Sequence, residues 1–389
     1  MAEAYIQPNI LKWARGRLSY TESFVATKFK MDVVEYKKWE TGISRPSFSQ
    51  AKKLADLFYV PFGYLYLQNP PERFDRIPDL RTMASRGVKE PSPNLQAVIN
   101  DVISQQKWYK SYLLENGSKP LGFIGGFSAE TPIDVITASI RKELGIPDRW
   151  HSYVRNTSDY ILRWIAHAET KRISILRSGI VGNSTSRDLD PREFRGFAIC
   201  DEVAPYIFIN SKDSDTAKVF TLVHELVHLW IGASGISSID EPTATHDDGV
   251  LQIERYCNRV AADLLIPAEG VSHSSVDVSL ILKDSHVYHV SPFVVLYRYH
   301  DLGMVSSHDF HQLYDVIEDI SSEKLPNEKK DTESGGSFYN NLFAKSGKPF
   351  IDALVGSVLE GRTLYRDAAQ LLNVKTSVID RIAERRGLL

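Results

Sequence analysis

The strongest constraint in this sequence is the pentapeptide His224-Glu225-Leu226-Val227-His228 and the apolar stretch around it. Apolar side chains occur at most positions from Leu222 to Trp230, which predicts a helix that is buried nearly all round. Such a helix places His224 and His228 on one face, one turn apart. Burying two imidazoles and a carboxylate without partners would cost several kcal/mol. The fold must therefore supply a partner for all three groups.

A divalent metal ion is the partner that this spacing indicates. Two imidazoles at positions i and i+4 of a helix can bind one Zn²⁺ at about 2.0–2.1 Å. Glu225, between them, can reach a zinc-bound water and act as general base in peptide hydrolysis. The alternative is two core histidines that hydrogen-bond to the backbone and a glutamate at the surface. It is less favourable, because three polar groups would still have to be accommodated on one apolar helix. The pentapeptide therefore favours a zinc-dependent peptidase with one metal ion per chain.

A catalytic zinc site needs a third protein ligand and an open position for water. The candidates downstream are Asp240, Glu241, His246, Asp247, Asp248 and Glu254. His246 lies in a stretch rich in Thr, Asp and Gly that predicts a loop, whereas Glu254 begins a helical pattern that extends to Ile266. Because helices hold ligand geometry better than loops, Glu254 is preferred over His246.

Composition excludes several classes of protein. The 389 residues suffice for two or three domains, and 43% hydrophobic with 24% charged residues is ordinary for a globular protein. A net charge of −3 gives no global attraction to nucleic acid. No apolar run could span a membrane, and the N-terminus lacks the features of a secretion signal. Cys200 and Cys257 are too few for a disulfide framework, and packing roles are expected for both. We therefore expect a cytoplasmic protein.

Residues 8–67 predict a run of five short helices. They are expected at Pro8–Arg15, Glu22–Phe29, Val33–Thr41, from Ser47 to Tyr59, and at Pro61–Leu67. The segment resembles the Xre-type, lambda-repressor-like helix-turn-helix. The residues that carry this resemblance are Ala26, Trp39-Glu40-x-Gly42, Pro46, Lys53-Leu54-Ala55 and Val60-Pro61. Residues 1–70 contain ten Lys and Arg against six Asp and Glu, a local excess that DNA binding would require.

The predicted recognition helix departs from that family in its turn and its base-reading positions. Lys30 stands where related domains usually have glycine. Val33, Val34 and Glu35 occupy the positions that normally read bases, and they are poor base readers. The remaining candidates for phosphate contact are Lys37, Lys38 and Arg45. The domain is expected to bind DNA, with protein contact or dimerisation as the alternative.

The expected fold class is α+β and mostly α. Helices are predicted at Pro93–Leu114, Pro132–Leu144 and Tyr160–Thr170, and strands at Ile173–Leu176, Phe197–Cys200 and Tyr206–Asn210. The last two strands predict a hairpin. A small antiparallel or mixed sheet before an H-E-x-x-H helix is typical of a zincin, whose edge strand can bind a substrate peptide. Asp213 and Asp215 are expected to cap that helix.

Five regions follow from these patterns. They are a helix-turn-helix over residues 1–70, a helical linker region over 71–170, a zincin domain over 171–320, a flexible linker over 321–337 and a helical subdomain over 338–389.

Several motifs together carry a resemblance over nearly the whole chain. They are Ile77–Thr82, Arg195–Phe197, Pro205–Asn210, Phe220–Leu229 and Glu254–Pro267. With these motifs the chain resembles ImmA/IrrE metallopeptidases, in their long form with a fused Xre-type helix-turn-helix. Tyr256-Cys257 stands where Glu-Ala is common in that family, and this departure does not touch a predicted ligand.

The resemblance implies a minimal gluzincin-like fold with His224, His228 and Glu254 as zinc ligands and Glu225 as catalytic base. It also implies a site-specific endopeptidase that cleaves a transcriptional repressor, often encoded nearby on a mobile element or stress regulon, and so derepresses genes. The alternative function is a helix-turn-helix regulator or antitoxin-like protein with a non-catalytic zinc site. Two histidines and one carboxylate also suit Mn²⁺ or Fe²⁺.

Overall fold

The computed structural model describes residues 3–18, 20–70, 91–147, 150–237, 249–271, 275–323 and 337–389. Most of these residues are helical and four short strands form one sheet, which confirms the predicted α+β, mostly α class. The chain divides into two compact units, one with residues 3–70 and 91–100 and the other from residue 101 onward. Among the described residues, no helix combines the length and apolarity needed to cross a membrane.

Residues 3–70 of the first unit contain four α-helices and a 3₁₀ helix. These are α1 (Pro8–Gly16), α2 (Glu22–Phe29), α3 (Val33–Thr41), α4 (Phe48–Leu57) and the 3₁₀ helix Phe62–Tyr66. All five predicted helices are present, but the fourth ends at Leu57 rather than Tyr59, and the fifth is a 3₁₀ helix. Tyr59 adopts a left-handed conformation with φ 51°, which a continuing helix does not allow.

The turn between α2 and α3 has a left-handed residue at its centre. This residue is Lys30, with φ 53°, so a lysine takes the conformation that glycine usually provides. The N–H of Met31 donates to the carbonyl of Ala26 at 3.0 Å and closes the turn. Asp32 then caps α3 by accepting a hydrogen bond from the Val34 N–H at 2.7 Å. These bonds fix α3 against α2.

Glu40 of the Trp39-Glu40 motif joins α3 to α1. Its carboxylate accepts hydrogen bonds from the Arg15 guanidinium at 2.6 and 2.8 Å and from the Tyr36 hydroxyl at 2.6 Å. The Glu40 side chain is only 5% exposed. Burial by itself would raise the pKa of Glu40, but Arg15 and Tyr36 outweigh it and hold that pKa below its usual value. The carboxylate is therefore needed in its charged form.

The second unit contains the remaining helices and the sheet. Its helices are α5 (Pro93–Glu115, from residue 101 on), α6 (Ile133–Leu144), α7 (Thr157–Thr170), α8 (Asp215–Ile231), α9 (Gly249–Leu265), α10 (Val278–Tyr288), α11 (Pro292–Asp301), α12 (Ser307–Glu323), α13 (Phe338–Ser346), α14 (Lys348–Leu359), α15 (Tyr365–Leu371) and α16 (Ile379–Arg386). Short 3₁₀ helices lie at Trp150–Tyr153, Ala268–Gly270 and Thr376–Val378. Residues 321–323, assigned to the predicted linker, end α12, and residues 324–336 lie outside the described residues.

The sheet is mixed and has the strand order β1-β3-β2-β4. The strands are β1 (Ser174–Ser178), β2 (Gly196–Ile199), β3 (Tyr206–Asn210) and β4 (Gly235–Ser237). β1 and β3 are parallel, whereas β2 pairs antiparallel with β3, as the predicted hairpin requires, and also with β4. β4 was not predicted, because Gly-Ile-Ser is too short to show a β pattern.

Helix α8 packs against β2 and β3 and is buried along its C-terminal half. The expectation that Asp213 or Asp215 caps it was wrong, because Ser214 is the N-cap and accepts from the Ala217 N–H at 3.2 Å. Asp215 instead lies in the first turn, where a carboxylate is favourable. The helix ends at Gly232, whose φ of 70° suits glycine.

We predict that Glu40→Gln lowers the free energy of unfolding of the first unit by about 3 kcal/mol at neutral pH, because one partner of a buried ion pair is lost. Since the folded-state pKa of Glu40 lies below its unfolded value, the pair stabilises the fold above the unfolded pKa. That stability is lost as pH falls through the folded pKa. Urea unfolding followed at several pH values between 7 and about 3 measures both effects.

Glu35→Gln is the matched control for this change. Glu35 is an exposed carboxylate on the same helix, paired with Lys38, and its removal is expected to change stability by less than about 1 kcal/mol. Equal effects of the two substitutions would contradict the role assigned to Glu40.

Candidate metal centre

Helices α8 and α9 bring His224, His228 and Glu254 to one point. The two histidine Nε2 atoms are 2.9 Å apart. Glu254 places one carboxylate oxygen 3.2 Å from Nε2 of His224 and the other 3.5 Å from Nε2 of His228. The imidazoles are almost completely buried, whereas the Glu254 side chain is 31% exposed. The three side chains thus surround one point that is reached from the Glu254 side.

These residues fit a divalent metal ion. Two imidazole nitrogens and one carboxylate are the ligand set of many catalytic zinc sites, which leave a fourth position open. Their ligand atoms lie within 4.8 Å of one another, and the shorter separations approach the roughly 3.3 Å expected for ligands about 2.0–2.1 Å from a tetrahedral centre. The Nδ1 atoms of His224 and His228 have no hydrogen-bond partner among the described residues. Nε2 is therefore the nitrogen that the arrangement presents to an ion.

The charges at this point attract a cation. Burial alone would raise the pKa of Glu254, but hydrogen bonds and charge from His224 and His228 hold it well below its usual range. Burial would lower the pKa of His228, but Cys257 and Glu254 raise it, so a bound metal ion would take the place of a proton on this imidazole. Glu254 is therefore ionised at neutral pH and can share its negative charge with an ion.

Glu225 lies on α8 between the two histidines and is fully buried. Gly196 of β2 passes directly over it, and a Cβ atom added there would lie 3.2 Å from Glu225 Oε1. The same atom would lie 2.7 Å from the Thr221 methyl and 2.9 Å from the Phe208 carbonyl oxygen. Only glycine lets β2 approach α8 this closely, which gives the Arg195-Gly196-Phe197 motif a physical role.

β2, the strand nearest to Glu225, has both of its edges paired. β3 pairs with one edge, and β4 pairs with the other through Gly196 with Ser237 and Ala198 with Gly235. The expected substrate edge is therefore not free on β2 itself. A peptide that added to this side of the sheet would have to pair outside β4 or replace it.

A loop over residues 121–127 supports the C-terminal end of α8, and no sequence pattern had indicated this role. The N–H groups of Gly125 and Phe127 donate to the carbonyls of Leu229 and Trp230 at 2.9 and 3.2 Å. The ring of Phe123 stacks on Trp230 with centroids 4.5 Å apart. The Gly-Phe-Ile-Gly-Gly-Phe run in this loop belongs to none of the motifs, so only its glycines could have indicated close backbone approach.

The structure describes only some of the other residues that the sequence singled out. The alternative third ligands Asp240, Glu241, His246, Asp247 and Asp248 and the Ile77–Thr82 box are outside the described residues. Cys257 is buried, and the thiol of the half-buried Cys200 donates to the His228 carbonyl at 3.3 Å.

Each of the three candidate phosphate contacts in the first unit has a partner within that unit. Lys37 lies 3.0 Å from Glu22, Lys38 pairs with Glu35, and the guanidinium of Arg45 lies 3.9 Å from the centroid of the Tyr5 ring. DNA would therefore have to compete with these carboxylates for both lysines.

Comparison with known families agrees with this geometry. Residues 168–300 match the IrrE N-terminal-like domain of the peptidase M78 family, and residues 11–65 match a helix-turn-helix family. The chain joins an N-terminal helix-turn-helix to an ImmA/IrrE domain. Both α8 and α9, with the three candidate ligands, lie within the ImmA/IrrE domain. Residues 346–385 match a domain of unknown function, and no curated protein matches the chain.

We predict that the chain binds one Zn²⁺ and that Glu254→Ala or His228→Ala weakens binding by more than the roughly 10–100-fold lost with an outer-shell partner. Metal content and zinc titration of chelator-stripped protein measure this. Glu269→Ala removes an exposed carboxylate just beyond α9 and is expected to leave the affinity unchanged. Undiminished affinity in Glu254→Ala would exclude Glu254 as a ligand.

We predict that Gly196→Ala destabilises the ImmA/IrrE domain by roughly 1–3 kcal/mol, because its methyl group would overlap Thr221 and the Phe208 carbonyl. Gly356→Ala is the control, since that glycine lies in α14 with no heavy atom within 4 Å of an added Cβ. It is expected to stabilise the protein by up to about 1 kcal/mol. Thermal unfolding of both variants gives opposite shifts if the close approach of β2 to α8 is tight.

Proposed function

We propose that this chain is a zinc-dependent, site-specific endopeptidase that cleaves a transcriptional repressor and so derepresses genes. The observation that carries the proposal is that His224 and His228 of α8 meet Glu254 of α9. The buried Glu225 lies between the two histidines on α8. A purely structural metal site has no use for Glu225, because that residue adds a buried carboxylate without adding a ligand. A Mn²⁺ ion would suit the same ligands.

The proposed mechanism assigns a separate role to each side chain. His224, His228 and Glu254 would hold the ion, which when bound supplies a Lewis acid that polarises a carbonyl and lowers the pKa of water. Glu225 would accept the proton of the attacking water at its carboxylate and pass that proton to the departing amine. The apolar surroundings of α8 keep other water away from Glu225 and strengthen its interaction with the proton.

The helix-turn-helix domain supports a regulatory protein as the substrate. A peptidase that is fused to such a domain can be brought to the operator where a repressor is bound. An Xre-type repressor is the partner that fits both domains of the chain, and the absence of a global positive charge confines DNA contact to local surfaces. The activity would be narrow, because productive cleavage also depends on how a peptide reaches the sheet edge occupied by β4.

We predict that Glu225→Gln retains zinc and loses cleavage by a factor of about 10²–10⁴, the usual contribution of a positioned general base. Extracts of the source cells are incubated with wild-type protein or with the variant, and new protein N-termini are labelled and identified. A repressor fragment is expected with the wild type only. Cleavage of the same bond by metal-loaded Glu225→Gln would contradict the proposal.

A regulator with a non-catalytic metal site is the second candidate, and the pairing of β4 with β2 favours it, because it removes the edge next to Glu225. In that case the wild-type protein would produce no new N-termini, and chelation would change its affinity for promoter DNA from its own locus. Gel shifts with and without chelator, on the same samples as the cleavage assay, separate the two functions.

A further inference from the structure

The C-terminal helices α15 and α16 form a turn that repeats the geometry of the α2–α3 turn. In α2–α3 the central left-handed residue is Lys30, and in α15–α16 it is Asn373, with φ 54°. The N–H of Val374 donates to the Ala369 carbonyl at 2.9 Å, as Met31 donates to Ala26 at 3.0 Å in the first unit. The two turns therefore share the same backbone hydrogen bond at the same distance from the left-handed residue.

The buried positions around the two turns also coincide. In each, an alanine four residues before the left-handed residue is buried, and so are the residues six and nine positions after it. These are Ala26, Tyr36 and Trp39 in the first unit and Ala369, Ile379 and Ile382 at the C-terminus. The α15–α16 hairpin therefore buries residues at the same spacing around its turn as the helix-turn-helix of the first unit does.

The hairpins α15–α16 and α10–α11 differ in how far their second helix is exposed to solvent. The hairpin α10–α11 has the same spacing around His289, but none of the equivalent outward positions on α11 is exposed, and its Arg298 is buried against Asp263. At the C-terminus every one of these positions is exposed. They are Lys375, Thr376, Ser377, Asp380, Arg381 and Glu384. The α10–α11 hairpin is therefore a packing element, whereas α15–α16 presents its second helix to solvent.

The chemistry of this exposed face suits duplex DNA. The face itself carries two cations, Lys375 and Arg381, and two carboxylates, Asp380 and Glu384. The surrounding residues 362–387 contain six Lys and Arg against three Asp and Glu, and three of those arginines are ion-paired: Arg362, Arg366 and Arg386. Lys375 and Arg381 have no ion-pair partner among the described residues, unlike Lys37 and Lys38 of the first unit. Lysine, arginine, serine and threonine are the side chains that contact phosphates and base edges in the major groove.

We propose that α15–α16 is a second helix-turn-helix that binds duplex DNA, with α16 and the 3₁₀ turn before it entering the major groove. Lys375 and Arg381 would contact the DNA, and Thr376 and Ser377 lie between them in the sequence. The chain would then have a helix-turn-helix near each end.

The test uses the full chain and a pool of 30-base-pair duplexes with a randomised centre, from which bound sequences are selected. Affinity for a selected duplex is measured by fluorescence anisotropy between about 50 and 200 mM salt. Lys375→Ala combined with Arg381→Ala is expected to reduce the slope of log affinity against log salt by about 2, one for each cation removed. Arg381→Lys keeps the charge, so it should keep the slope and change the selected sequence.

Lys142→Ala combined with Arg155→Ala is the charge-matched control, because both are exposed cations of the same unit outside the hairpin. It should leave slope and affinity unchanged. The proposal is overturned if no duplex is enriched, if the Lys375 and Arg381 variant keeps the wild-type slope and affinity, or if only Lys37→Ala with Lys38→Ala weakens binding. Circular dichroism of each variant confirms that the fold is retained, and none of these readouts depends on cleavage.

Discussion

The structure of the second unit depends on burying two imidazoles and a carboxylate on one apolar helix. Helix α8 is buried along its C-terminal half, so His224, Glu225 and His228 lose their contact with water. Each such group costs free energy unless it finds a partner. Glu254 of α9 places a carboxylate beside the two imidazoles, and the missing side chain of Gly196 in β2 leaves space for Glu225. Sheet, α8 and α9 are therefore arranged around the same few polar atoms.

Much of this arrangement was predictable because it rests on local patterns. The apolar run around His224 predicted the helix, and short apolar and aromatic runs separated by a turn predicted β2 and β3. The preference for Glu254 over His246 rested on the rigidity of a helix, and the structure places the Glu254 carboxylate beside both histidines. The helix and the strands depend on residues close together in the sequence, so a pattern of 3.6 or 2 residues identifies them.

The features that were not predicted depend on residues far apart in the sequence. The loop over residues 121–127 reaches α8 about a hundred residues later, and only the folded chain shows that its N–H groups meet the carbonyls of that helix. β4 has three residues, too few for any alternation to appear. The carboxylate partner of Lys37 was equally hidden, because Glu22 lies on another helix. The pair of Glu35 with Lys38 is different, because these residues are three positions apart on one helix and their pairing is a local pattern. The loop, β4 and the pair of Lys37 with Glu22 are determined by tertiary contacts and not by local propensity.

X-ray absorption at the zinc edge of the loaded full-length protein tests the central claim most directly. We expect a first shell of nitrogen and oxygen only, at about 2.0–2.1 Å, with the imidazole signature of two histidines. In Glu254→Ala one oxygen ligand should be lost or replaced by water, with both imidazoles kept. A sulfur neighbour at about 2.3 Å, which would place the buried Cys257 in the shell, or an unchanged spectrum in Glu254→Ala, would contradict the proposed centre.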